Sequence, residues 1–544
     1  MIVRVTRRPR KKRIVILGGG FGGVYAAIHL EKLLARQSAV EICLVSRDNF
    51  FLFTPMLHEI AASDLEITNI ANPLRKLLHK IEVLVADVNQ IDLPNKQVLI
   101  SRGCRDHAQV HYDHLVIALG SITNFYNLPG FSELALAMKS LPDAIHLRAQ
   151  ILRHLEEANS ESNPIDRQSL LTFVVAGGGF AGVETVAALN DFVREALPFY
   201  PNIRENMLRV MLVHSGPVIL PELGESLGRY THEVLEQRGV EIRLNTRVKS
   251  ITESKVFLAD GVPIPSRTLV WTAGTVPSPL ILSLPCAKER GRVVVNQFLR
   301  VPDWPEVWAV GDCAFVPDIR NPGKSYPPTA QHAMREGKVV AQNIAAVLSG
   351  RPLKSFSFKT IGLLASIGRR TGVARIFGFN FSGFFAWWMW RTVYLSKLPG
   401  LDKKIRVAFD WTLDLLFPKD VCAVYDLDHR RDFHRQDHTN APGNNGGSPS
   451  NDAPASARKR ENWLNENRAA GSRAIGCPNP AALRAAFTQN VIALRGNSDP
   501  ECAIEGAILD RFTHVLGRDV ALAVEVGDCA RDFQDTIIGA GAQV

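Results

Sequence analysis

Two glycine-rich segments of this chain have the residue types and spacing that bind the pyrophosphate of a nucleotide. Each follows an apolar run and precedes an alanine-rich segment, and the pattern G-x-G-x-x-G falls on Gly18, Gly20 and Gly23 and again on Gly177, Gly179 and Gly182. In this pattern the first glycine makes a tight turn, the second lets the backbone approach the phosphates, and the third lets the helix pack on the strand. The phosphates bind at the helix N-terminus, where N–H groups are free. Two complete copies predict two bound dinucleotides, and a flavin with a nicotinamide is the natural pair.

The residues that end the second strand of each unit depart from the usual pattern. An acid normally stands there and binds the adenosine ribose. This chain instead has Ser46 after the first G-x-G-x-x-G segment, here called the first fingerprint, and His214 after the second. A hydroxyl can hydrogen-bond the ribose without charge assistance, and an imidazole beside Ser215 would tolerate a 2′-phosphate. Preference for NADH or NADPH is therefore open, and an ordinary strand-end histidine is the alternative for His214.

Five further residues are candidates for the cofactor site. Glu184 falls in the first turn after the second fingerprint, where it either complements the helix dipole or faces the contact between nicotinamide and flavin and positions one ring. Asp312 follows Gly311 at a strand end and either accepts hydrogen bonds from ribityl hydroxyls or is a turn residue. Gly120 and Gly274 end two similar apolar strands and either admit the cofactor closely or are plain turn glycines.

The order of these segments predicts an α/β fold with two Rossmann-like dinucleotide-binding domains. The strand–turn at 115–121 is echoed at 269–275, each downstream of one fingerprint by a similar interval. A third strand–turn at 307–312 leads to a predicted helix at 329–348, which indicates that the first unit resumes after an insertion. Alternating strands and helices favour parallel sheets covered on both faces. The FAD domain is thus expected to be split by the NAD(P) domain.

Composition and charge exclude several classes of protein. The chain has 544 residues and a formal charge of +9. The basic excess lies in residues 1–13, with seven basic residues and no acid, and in 351–422, with twelve basic and four acidic residues. A nucleic-acid-binding surface is therefore not expected. The eight cysteines form no C-x-x-C or C-x-x-x-x-C pair, which argues against a metal site or a redox dithiol and suits a reducing cytoplasm.

The region from 351 onward differs in character. Residues 376–390 are uncharged and aromatic but too short and interrupted to span a bilayer. Residues 403–417 predict an amphipathic helix with Ile405, Phe409 and Leu416 on its apolar face. Such a helix beside tryptophans and basic residues is typical of a membrane interface, and ordinary packing against the protein body is the alternative. A polar linker around 439–457 precedes a tail with two predicted helices and a strand, in which no chemistry is identified.

These observations divide the chain into seven segments. They are a basic extension at 1–12, the first half of the FAD-binding domain at 13–121, an NAD(P)H-binding domain at 122–284, the second half of the FAD-binding domain at 285–350, a membrane-associating region at 351–425, a flexible linker at 426–475 and a small tail domain of unknown function at 476–544.

Over residues 13–424 the sequence resembles the type II NADH:quinone oxidoreductases. The likeness is carried by the stretches at 14–30, 173–189, 307–318, 327–344 and 361–390. The resemblance implies that FAD is held by Gly18, Gly20, Gly23, Gly120, Gly311 and Asp312, and that the nicotinamide coenzyme is held or oriented by Gly177, Gly179, Gly182, Glu184 and Gly274. The quinone-side motif A-Q-x-A-x-Q maps onto Ala330 and Gln331, while Arg335 replaces its second glutamine, so the quinone type is open.

The resemblance implies hydride transfer from NADH, or NADPH, to FAD and then transfer of two electrons to a membrane quinone without proton pumping. Glu184 and Gln331 would be the catalytic residues, no metal is needed, and the protein would lie on the cytoplasmic face of the cell membrane, with a homodimer left open. One alternative is a sulfide:quinone oxidoreductase, which needs cysteines beside the flavin, and Cys286 and Cys313 are the available ones. Another is a flavin- and nucleotide-binding redox sensor.

Overall fold

The computed structural model describes residues 11–34, 37–103 and 106–422. The linker predicted at 426–475, the tail domain predicted at 476–544 and nearly all of the basic extension predicted at 1–12 lie outside the described residues.

The first large sheet contains strands from two distant regions of the chain. Its six strands have the order β22-β23-β9-β1-β2-β5 and are parallel except for the antiparallel β22–β23 pair. Their bounds are β1 (Lys12–Leu17), β2 (Val40–Ser46), β5 (Glu82–Val85), β9 (His114–Ile117), β22 (Arg300–Val301) and β23 (Trp304–Ala309). β1 ends in consecutive fully buried side chains, as expected for a parallel strand covered on both faces.

The second large sheet lies within the sequence interval that interrupts the first. Its five strands have the order β11-β18-β12-β13-β14 and are all parallel. Their bounds are β11 (Leu136–Ala137), β12 (Thr172–Ala176), β13 (Arg209–Val213), β14 (Val240–Arg243) and β18 (Thr268–Trp271). The chain leaves the first sheet and returns to it along an antiparallel pair, β10 (Ser121–Thr123) with β19 (Thr275–Pro277). The predicted fold class, two Rossmann-like units with the first split by the second, is confirmed.

The remaining strands form small sheets. They are β3 (Phe50–Leu52) with β4 (Ala71–Pro73); β6 (Asp87–Asp92), β7 (Gln97–Arg102) and β8 (Asp106–His111); β15 (Val248–Ile251), β16 (Lys255–Leu258) and β17 (Pro263–Pro265); β20 (Lys288–Glu289), β21 (Arg292–Val294) and β24 (Ala314–Phe315); and β25 (Gly362–Ser366), β26 (Gly372–Ile376) and β27 (Phe379–Ser382).

The helices cover the sheets and form the C-terminal region. They are α1 (Phe21–Leu34), α2 (Leu57–Ala61), α3 (Leu74–Leu77), α4 (Phe131–Leu134), α5 (Leu141–Ser160), α6 (Pro164–Leu170), α7 (Phe180–Ala196), α8 (Glu225–Gln237), α9 (Ala330–Leu348), α10 (Gly383–Lys397) and α11 (Leu401–Leu416). α1 and α7 follow the two fingerprints directly, and α1 packs on α9. The helix predicted at 329–348 is α9.

The C-terminal region is more divided than the sequence indicated. The aromatic stretch at 376–390 is split between the end of β26, β27 and the first half of α10. Gly378 and Gly383, with φ of +91° and +73°, make the turns that separate these elements. Gly400, with φ of +83°, precedes α11, which begins two residues before the predicted helix start. In the described residues of the chain, no helix combines the length and apolar character required to cross a bilayer.

α11 contacts the protein body through both polar and apolar groups, and it turns other apolar groups outward. Lys403 Nζ donates to Thr68 O at 2.6 Å, and Asp410 accepts from Asn69 Nδ2 at 2.6 Å. Ile405 and Phe409 are 61% and 40% exposed. The helix is held on the body by buried Val407 and Trp411 as well. The amphipathic pattern was therefore read correctly from the sequence, but the polar side contacts protein as much as solvent.

A buried ion pair joins the end of the described chain to both nucleotide-binding units. Lys419 Nζ lies 2.6 Å from Asp64 Oδ1 and 3.8 Å from Glu195 Oε2, and the lysine side chain is 5% exposed. Burial raises the pKa of Asp64 to about 6, with Lys419 opposing the shift. Burial also lowers the pKa of Lys419, but the two carboxylates outweigh it and the net shift is upward. The positive charge of Lys419 therefore offsets the free-energy cost of burying the Asp64 carboxylate.

Replacement of this lysine should destabilise the fold in a pH-dependent way. The Lys419→Met variant leaves Asp64 without its cation, which should cost about 3 kcal/mol or more at pH 8. Because a folded-state pKa raised above the ordinary value means tighter proton binding in the folded state, the carboxyl keeps its proton at pH 5 and the loss should be smaller there. Urea unfolding at both pH values measures the difference.

Lys76→Met is the matched control, because Lys76 Nζ lies 3.9 Å from Asp402 Oδ2 and both side chains are more than half exposed. An exposed pair contributes less than about 1 kcal/mol. Equal losses in the two variants would contradict the assigned role of Lys419.

Candidate functional site

The first fingerprint is built so that its outer glycines are sterically required. Gly18 has φ of +111°, and a Cβ there would lie 2.2 Å from Ala118 O. A Cβ on Gly23 would lie 1.9 Å from Gly18 O. These contacts bring the start of α1 against β1 and the residue after β9, so the loop and helix N-terminus sit at the carboxyl edge of the parallel sheet, where ligands bind in such folds.

The second fingerprint repeats this construction. Gly177 has φ of +119°, and a Cβ there would lie 2.5 Å from Thr272 Oγ1. A Cβ on Gly182 would lie 1.8 Å from Gly177 O. The two units therefore present the same loop geometry at the N-termini of α1 and α7.

The middle glycines face open space. A Cβ on Gly20, Gly179 or Gly120 would meet no heavy atom within 4 Å. At Gly20 and Gly179 this space lies before a helix N-terminus, where the free N–H groups favour an anion. The two loops thus have the cradle that a dinucleotide pyrophosphate occupies, and the residues present fit an FAD in the first unit and a nicotinamide dinucleotide in the second.

Ser46 and His214 occupy equivalent places beneath the two loops. A Cβ on Gly19 would lie 2.2 Å from Ser46 Oγ, and one on Gly178 would lie 2.6 Å from His214 Cγ. The Gly178 N–H donates to His214 Nδ1 at 3.1 Å, and burial lowers the pKa of the imidazole. His214 is therefore a neutral ring that accepts at Nδ1 and has its proton on Nε2.

Asp312 meets the turn after β9 from the other half of the split unit. Its Oδ2 accepts from Ser121 Oγ at 2.6 Å and lies 3.3 Å from Lys139 Nζ. Gly311, with φ of +72°, donates its N–H to Glu336 Oε2 at 2.7 Å. Burial raises the pKa of Glu336 to about 7. The structure thus brings Gly120, through its neighbour Ser121, together with Gly311 and Asp312.

Gly274 has a different reason for being glycine. Its φ is +128°, and a Cβ would lie 2.5 Å from the hydroxyl of Tyr126. The absent side chain makes room for Tyr126, whose ring packs edge-on against Trp271 at 6.4 Å. The structure therefore gives this glycine a packing role beside the second sheet.

Glu184 lies where three regions of the chain meet. It belongs to α7, and its Oε1 accepts from Ser366 N at 3.2 Å and from Trp390 Nε1 at 3.1 Å. Its Oε2 lies 3.9 Å from Nδ1 of His58, which belongs to α2. Burial raises the pKa of Glu184 to about 8, although both donated bonds oppose the shift. The carboxyl therefore keeps its proton at neutral pH.

Aromatic rings connect this carboxyl to the first fingerprint. Phe21, inside the fingerprint, has its ring centre 5.8 Å from that of Phe53. Phe53 lies 6.2 Å from Tyr394, and Tyr394 lies 4.8 Å from Trp390, the donor to Glu184. α10 therefore lines a continuous apolar wall from the first dinucleotide loop to the buried acid.

Gln331 and Ala330 lie in the first turn of α9. The backbone oxygen of Gln331 accepts from Arg335 Nη1 at 2.8 Å, and the Arg335 guanidinium stacks over the ring of Phe358 at 3.9 Å. Burial, and next the charge of Arg335, lower the pKa of Lys397 at the end of α10. Arg335 is therefore a half-buried cation packed on an aromatic ring.

Several residues of this site were not identified from the sequence. His58, Glu59, Trp390 and Tyr394 all surround or adjoin the Glu184 contact. The available signal was two adjacent titratable residues within the otherwise apolar segment 51–62, because buried charged groups are rare without a specific partner.

The cysteines offered for a sulfide-dependent reaction are poorly suited to it. Cys313 is fully buried, and its thiol donates to Val310 O at 3.3 Å. Burial raises the pKa of Cys313 to about 12 and also raises that of Cys286. A nucleophilic sulfur must be a thiolate, so both groups are in the unreactive form at neutral pH.

Comparison with known proteins identifies the class and then the family. The model of the pyridine nucleotide-disulphide oxidoreductases matches residues 12–337, and that of the NDH2 C-terminal domain matches residues 361–420. The chain is 34% identical over 425 residues to the type II NADH:quinone oxidoreductase Ndh of Mycobacterium tuberculosis, covering 75% of this chain and 89% of that protein. It is 32% identical over 432 residues to a probable NADH dehydrogenase of Dictyostelium discoideum, covering 77% and 94%. The chain therefore belongs to the type II NADH:quinone oxidoreductase family.

Solved structures share the fold. NDH2 from Plasmodium falciparum in complex with NADH superimposes with a TM-score of 0.71 at 21% identity, covering 76% of this chain and 100% of that one. A sulfide:quinone oxidoreductase from Aquifex aeolicus gives a TM-score of 0.56 at 18% identity, covering 77% and 94%.

The middle and outer glycines of a fingerprint should respond differently to substitution. Gly20→Ala adds a methyl group to open space, so the chain should fold but bind FAD about tenfold or more weakly, a cost of about 1.4 kcal/mol or more. Gly23→Ala should lower the melting temperature because its Cβ meets Gly18 O. Flavin absorbance per chain and thermal melts measure the two effects.

Gly179→Ala is the matched control for Gly20→Ala. It makes the same change at the second loop and should retain FAD while weakening NADH binding. Loss of FAD from Gly179→Ala but not from Gly20→Ala would reverse the assignment of the two loops.

Proposed function

We propose that this chain oxidises NADH and reduces a membrane quinone, using one bound FAD and without pumping protons. The observation that carries the proposal is the junction at Glu184. There the helix of the nicotinamide unit, α2 of the flavin unit and α10 of the C-terminal region meet around one buried acid. The name of the M. tuberculosis relative supports the whole reaction, and that of the Dictyostelium relative supports the oxidation of NADH.

In this proposal the chain's own residues bind and orient the cofactors, and they supply protons to the acceptor. The redox chemistry would come from the flavin when it is bound, since a flavin can accept a hydride and give up two electrons. We assign FAD to Gly18, Gly20, Gly23, Ser46, Gly120, Gly311 and Asp312, and the nicotinamide coenzyme to Gly177, Gly179, Gly182 and His214. Gly274 acts indirectly, because the absence of a side chain there leaves room for Tyr126.

Glu184 and Gln331 act on the acceptor side. Reduction of a quinone to a quinol consumes two protons, and a carboxyl that stays protonated at neutral pH is a suitable general acid. We assign the acceptor site to the surroundings of the first turns of α9, because Arg335, one turn after Gln331, acts electrostatically on Lys397 at the end of α10. The amide of Gln331 can then donate to a quinone carbonyl there, and Arg335, in place of a neutral amide, adds positive charge that favours a reduced, electron-rich acceptor.

We further propose that the protein binds the surface of the cell membrane through its C-terminal region, on the cytoplasmic side. α10 and α11 expose apolar side chains, including Phe385, Ile405, Phe409 and Leu416. Lys403 and Arg406 lie on the same helix as the last three. Aromatic and aliphatic groups beside basic ones favour insertion into the headgroup boundary of an anionic bilayer. Free thiols at Cys43, Cys286, Cys313 and Cys422 suit a reducing compartment.

The redox proposal is tested by anaerobic half-reactions. NADH should bleach the flavin absorbance, and a quinone should restore it. Glu184→Gln keeps size and hydrogen bonding but removes the acid, so bleaching should stay within about twofold while recolouring slows by about 10²-fold. Stopped-flow absorbance measures both.

Glu157→Gln is the control, since Glu157 is an exposed residue paired with Arg153 on α5. Failure of NADH to bleach the wild-type protein would contradict the proposed function. Normal recolouring of Glu184→Gln would contradict only the role of Glu184.

Membrane attachment is tested by flotation with phosphatidylcholine–phosphatidylglycerol vesicles. The double variant Ile405→Ser and Phe409→Ser removes two apolar groups, each contributing about 1.5 kcal/mol or more when buried, so vesicle binding should fall by more than about tenfold. Turnover with a water-soluble quinone should not change.

The matched control is Ile165→Ser with Val262→Ser. These side chains are 71% and 56% exposed and lie in the nicotinamide unit. An equal loss of flotation in both double variants would rule out a specific role for α11.

A further inference from the structure

Arg335 lies one helical turn after Gln331 and folds back along α9 toward it. Its Nη1 donates to the backbone oxygen of Gln331 at 2.8 Å. This direction is expected, because a long side chain on a helix points toward the N-terminus of that helix. The guanidinium of Arg335 therefore lies beside the first turn of α9, where the proposed function places the acceptor.

The guanidinium is held in one orientation by Phe358. It stacks over the ring of Phe358 at 3.9 Å. The ring of His332 packs edge-on against the same phenyl group, with centres 5.2 Å apart, and its Nδ1 is hydrogen-bonded to Thr329 Oγ1 at 2.7 Å. A stacked guanidinium uses its flat face, so the N–H groups along its edge stay available to an oxygen atom of a ligand.

The positive charge of Arg335 has no acid beside it. In the described part of the chain no carboxylate forms an ion pair with this guanidinium, and burial lowers its pKa. Arginine still keeps its charge, because its ordinary pKa is above about 12. Burial, and next the charge of Arg335, lower the pKa of His332 to about 4, so the imidazole is neutral. The positive end of the α9 dipole lies at the same turn and adds to the charge of the arginine.

We propose that Arg335 makes the acceptor site selective for quinones that are hard to reduce, the naphthoquinone class, over benzoquinones. This inference rests on the proposed function, in which the acceptor binds beside Gln331. A glutamine, which the family motif has at position 335, would give a quinone oxygen a neutral hydrogen bond. A guanidinium gives a charge-assisted one, which is roughly twice as strong.

The benefit of this charge depends on the acceptor. A quinone oxygen becomes negative as electrons arrive, and a fixed cation stabilises that charge more in the transition state than in the bound quinone. A naphthoquinone is harder to reduce than a benzoquinone, because one of its rings is already aromatic and its reduction gains less aromatic stabilisation. Its transition state is therefore later and has more charge on the oxygen, so it gains more from Arg335.

The reaction balances with the reactants of the proposed function. One NADH, one proton from water and one quinone give one NAD⁺ and one quinol. A C–H bond of the nicotinamide breaks, its two electrons reach the quinone, and two O–H bonds form on the quinone oxygens. Arg335 keeps its own protons, since a guanidinium is not deprotonated in proteins, and it acts through charge and hydrogen bonding.

The kinetic test compares two water-soluble acceptors without side chains, menadione for the naphthoquinones and dimethoxy-methyl-benzoquinone for the benzoquinones. In anaerobic steady-state oxidation of NADH, Arg335→Gln should lower kcat/KM for menadione by about tenfold, the difference between a charged and a neutral hydrogen bond. The value for the benzoquinone should fall much less. Arg335→Lys keeps a charge without the planar fork and should recover part of the lost preference. Bleaching by NADH should be unchanged in both variants.

A binding measurement gives a readout that does not depend on turnover. Lawsone, the acidic hydroxy derivative of naphthoquinone, is ionised at neutral pH and so carries on its oxygens the negative charge that the acceptor gains during reduction. In calorimetric titrations without NADH, lawsone should bind about tenfold more weakly to Arg335→Gln than to wild type. Binding of uncharged menadione should change much less.

Arg300→Gln is the matched control. The Arg300 guanidinium also lies over an aromatic ring, 5.5 Å from the centre of Trp308, but it belongs to β22 at an edge of the first sheet. This variant should leave both the ratio of the two kcat/KM values and the binding of lawsone at their wild-type values.

The outcomes separate this inference from the proposed function. Equal losses with the two quinones in Arg335→Gln would overturn the inference, since a merely structural residue gives that result. An unchanged ratio of kcat/KM, or equal binding of lawsone by wild type and Arg335→Gln, would overturn it as well. Failure of NADH to bleach the wild-type protein, or of both quinones to recolour it, would instead contradict the proposed function.

Discussion

Burial of carboxyl groups between the C-terminal region and the two nucleotide-binding units is the constraint on which this structure depends. Glu59, Asp64 and Glu184 all lose water at this contact, and burial raises the pKa of each. An ionised group in such a place is costly unless it is paired, and a neutral one still needs hydrogen bonds. The C-terminal region supplies a partner to each in turn, namely Trp411, Lys419 and Trp390.

This arrangement makes the C-terminal region a partner of the buried carboxyls as well as a surface element. α10 places Trp390 and Tyr394 inward, against Glu184 and Phe53. The same helix leaves Phe385 and Trp388 exposed. A helix that is apolar on both sides has no solvent face of its own. In the proposed function, such a helix closes the acceptor site on one side and contacts lipid on the other, so a lipid-dissolved quinone would need to pass only the thickness of one helix.

The sequence predicted those features of the site whose causes are local. The outer fingerprint glycines are required by contacts within the same strand–turn–helix unit, such as that between Gly23 and Gly18 O, and a local steric rule can be read from spacing. The split sheet was also predictable, because strand–turn patterns repeat along the chain.

The contact among His58, Glu184 and Trp390 joins residues more than 100 positions apart. Spacing carries no information on such a contact, since packing of three separate units decides it. The pattern of α11 left its orientation open between an outward and a packed apolar face for a related reason. The sequence defines two faces, but partners at Thr68 and Asn69 make the polar side stable against protein.

The ring of His214 shows how a departure from a motif can preserve the geometry of the loop. A carboxylate at this position could accept the Gly178 N–H and a ribose hydroxyl together, and its charge would repel a 2′-phosphate. The neutral imidazole accepts the same N–H at Nδ1, and the Val218 backbone engages the ring as well. A neutral ring held in this way carries no charge that could repel a phosphate or attract it. His214 therefore keeps the shape of the second loop without the carboxylate that the motif normally supplies.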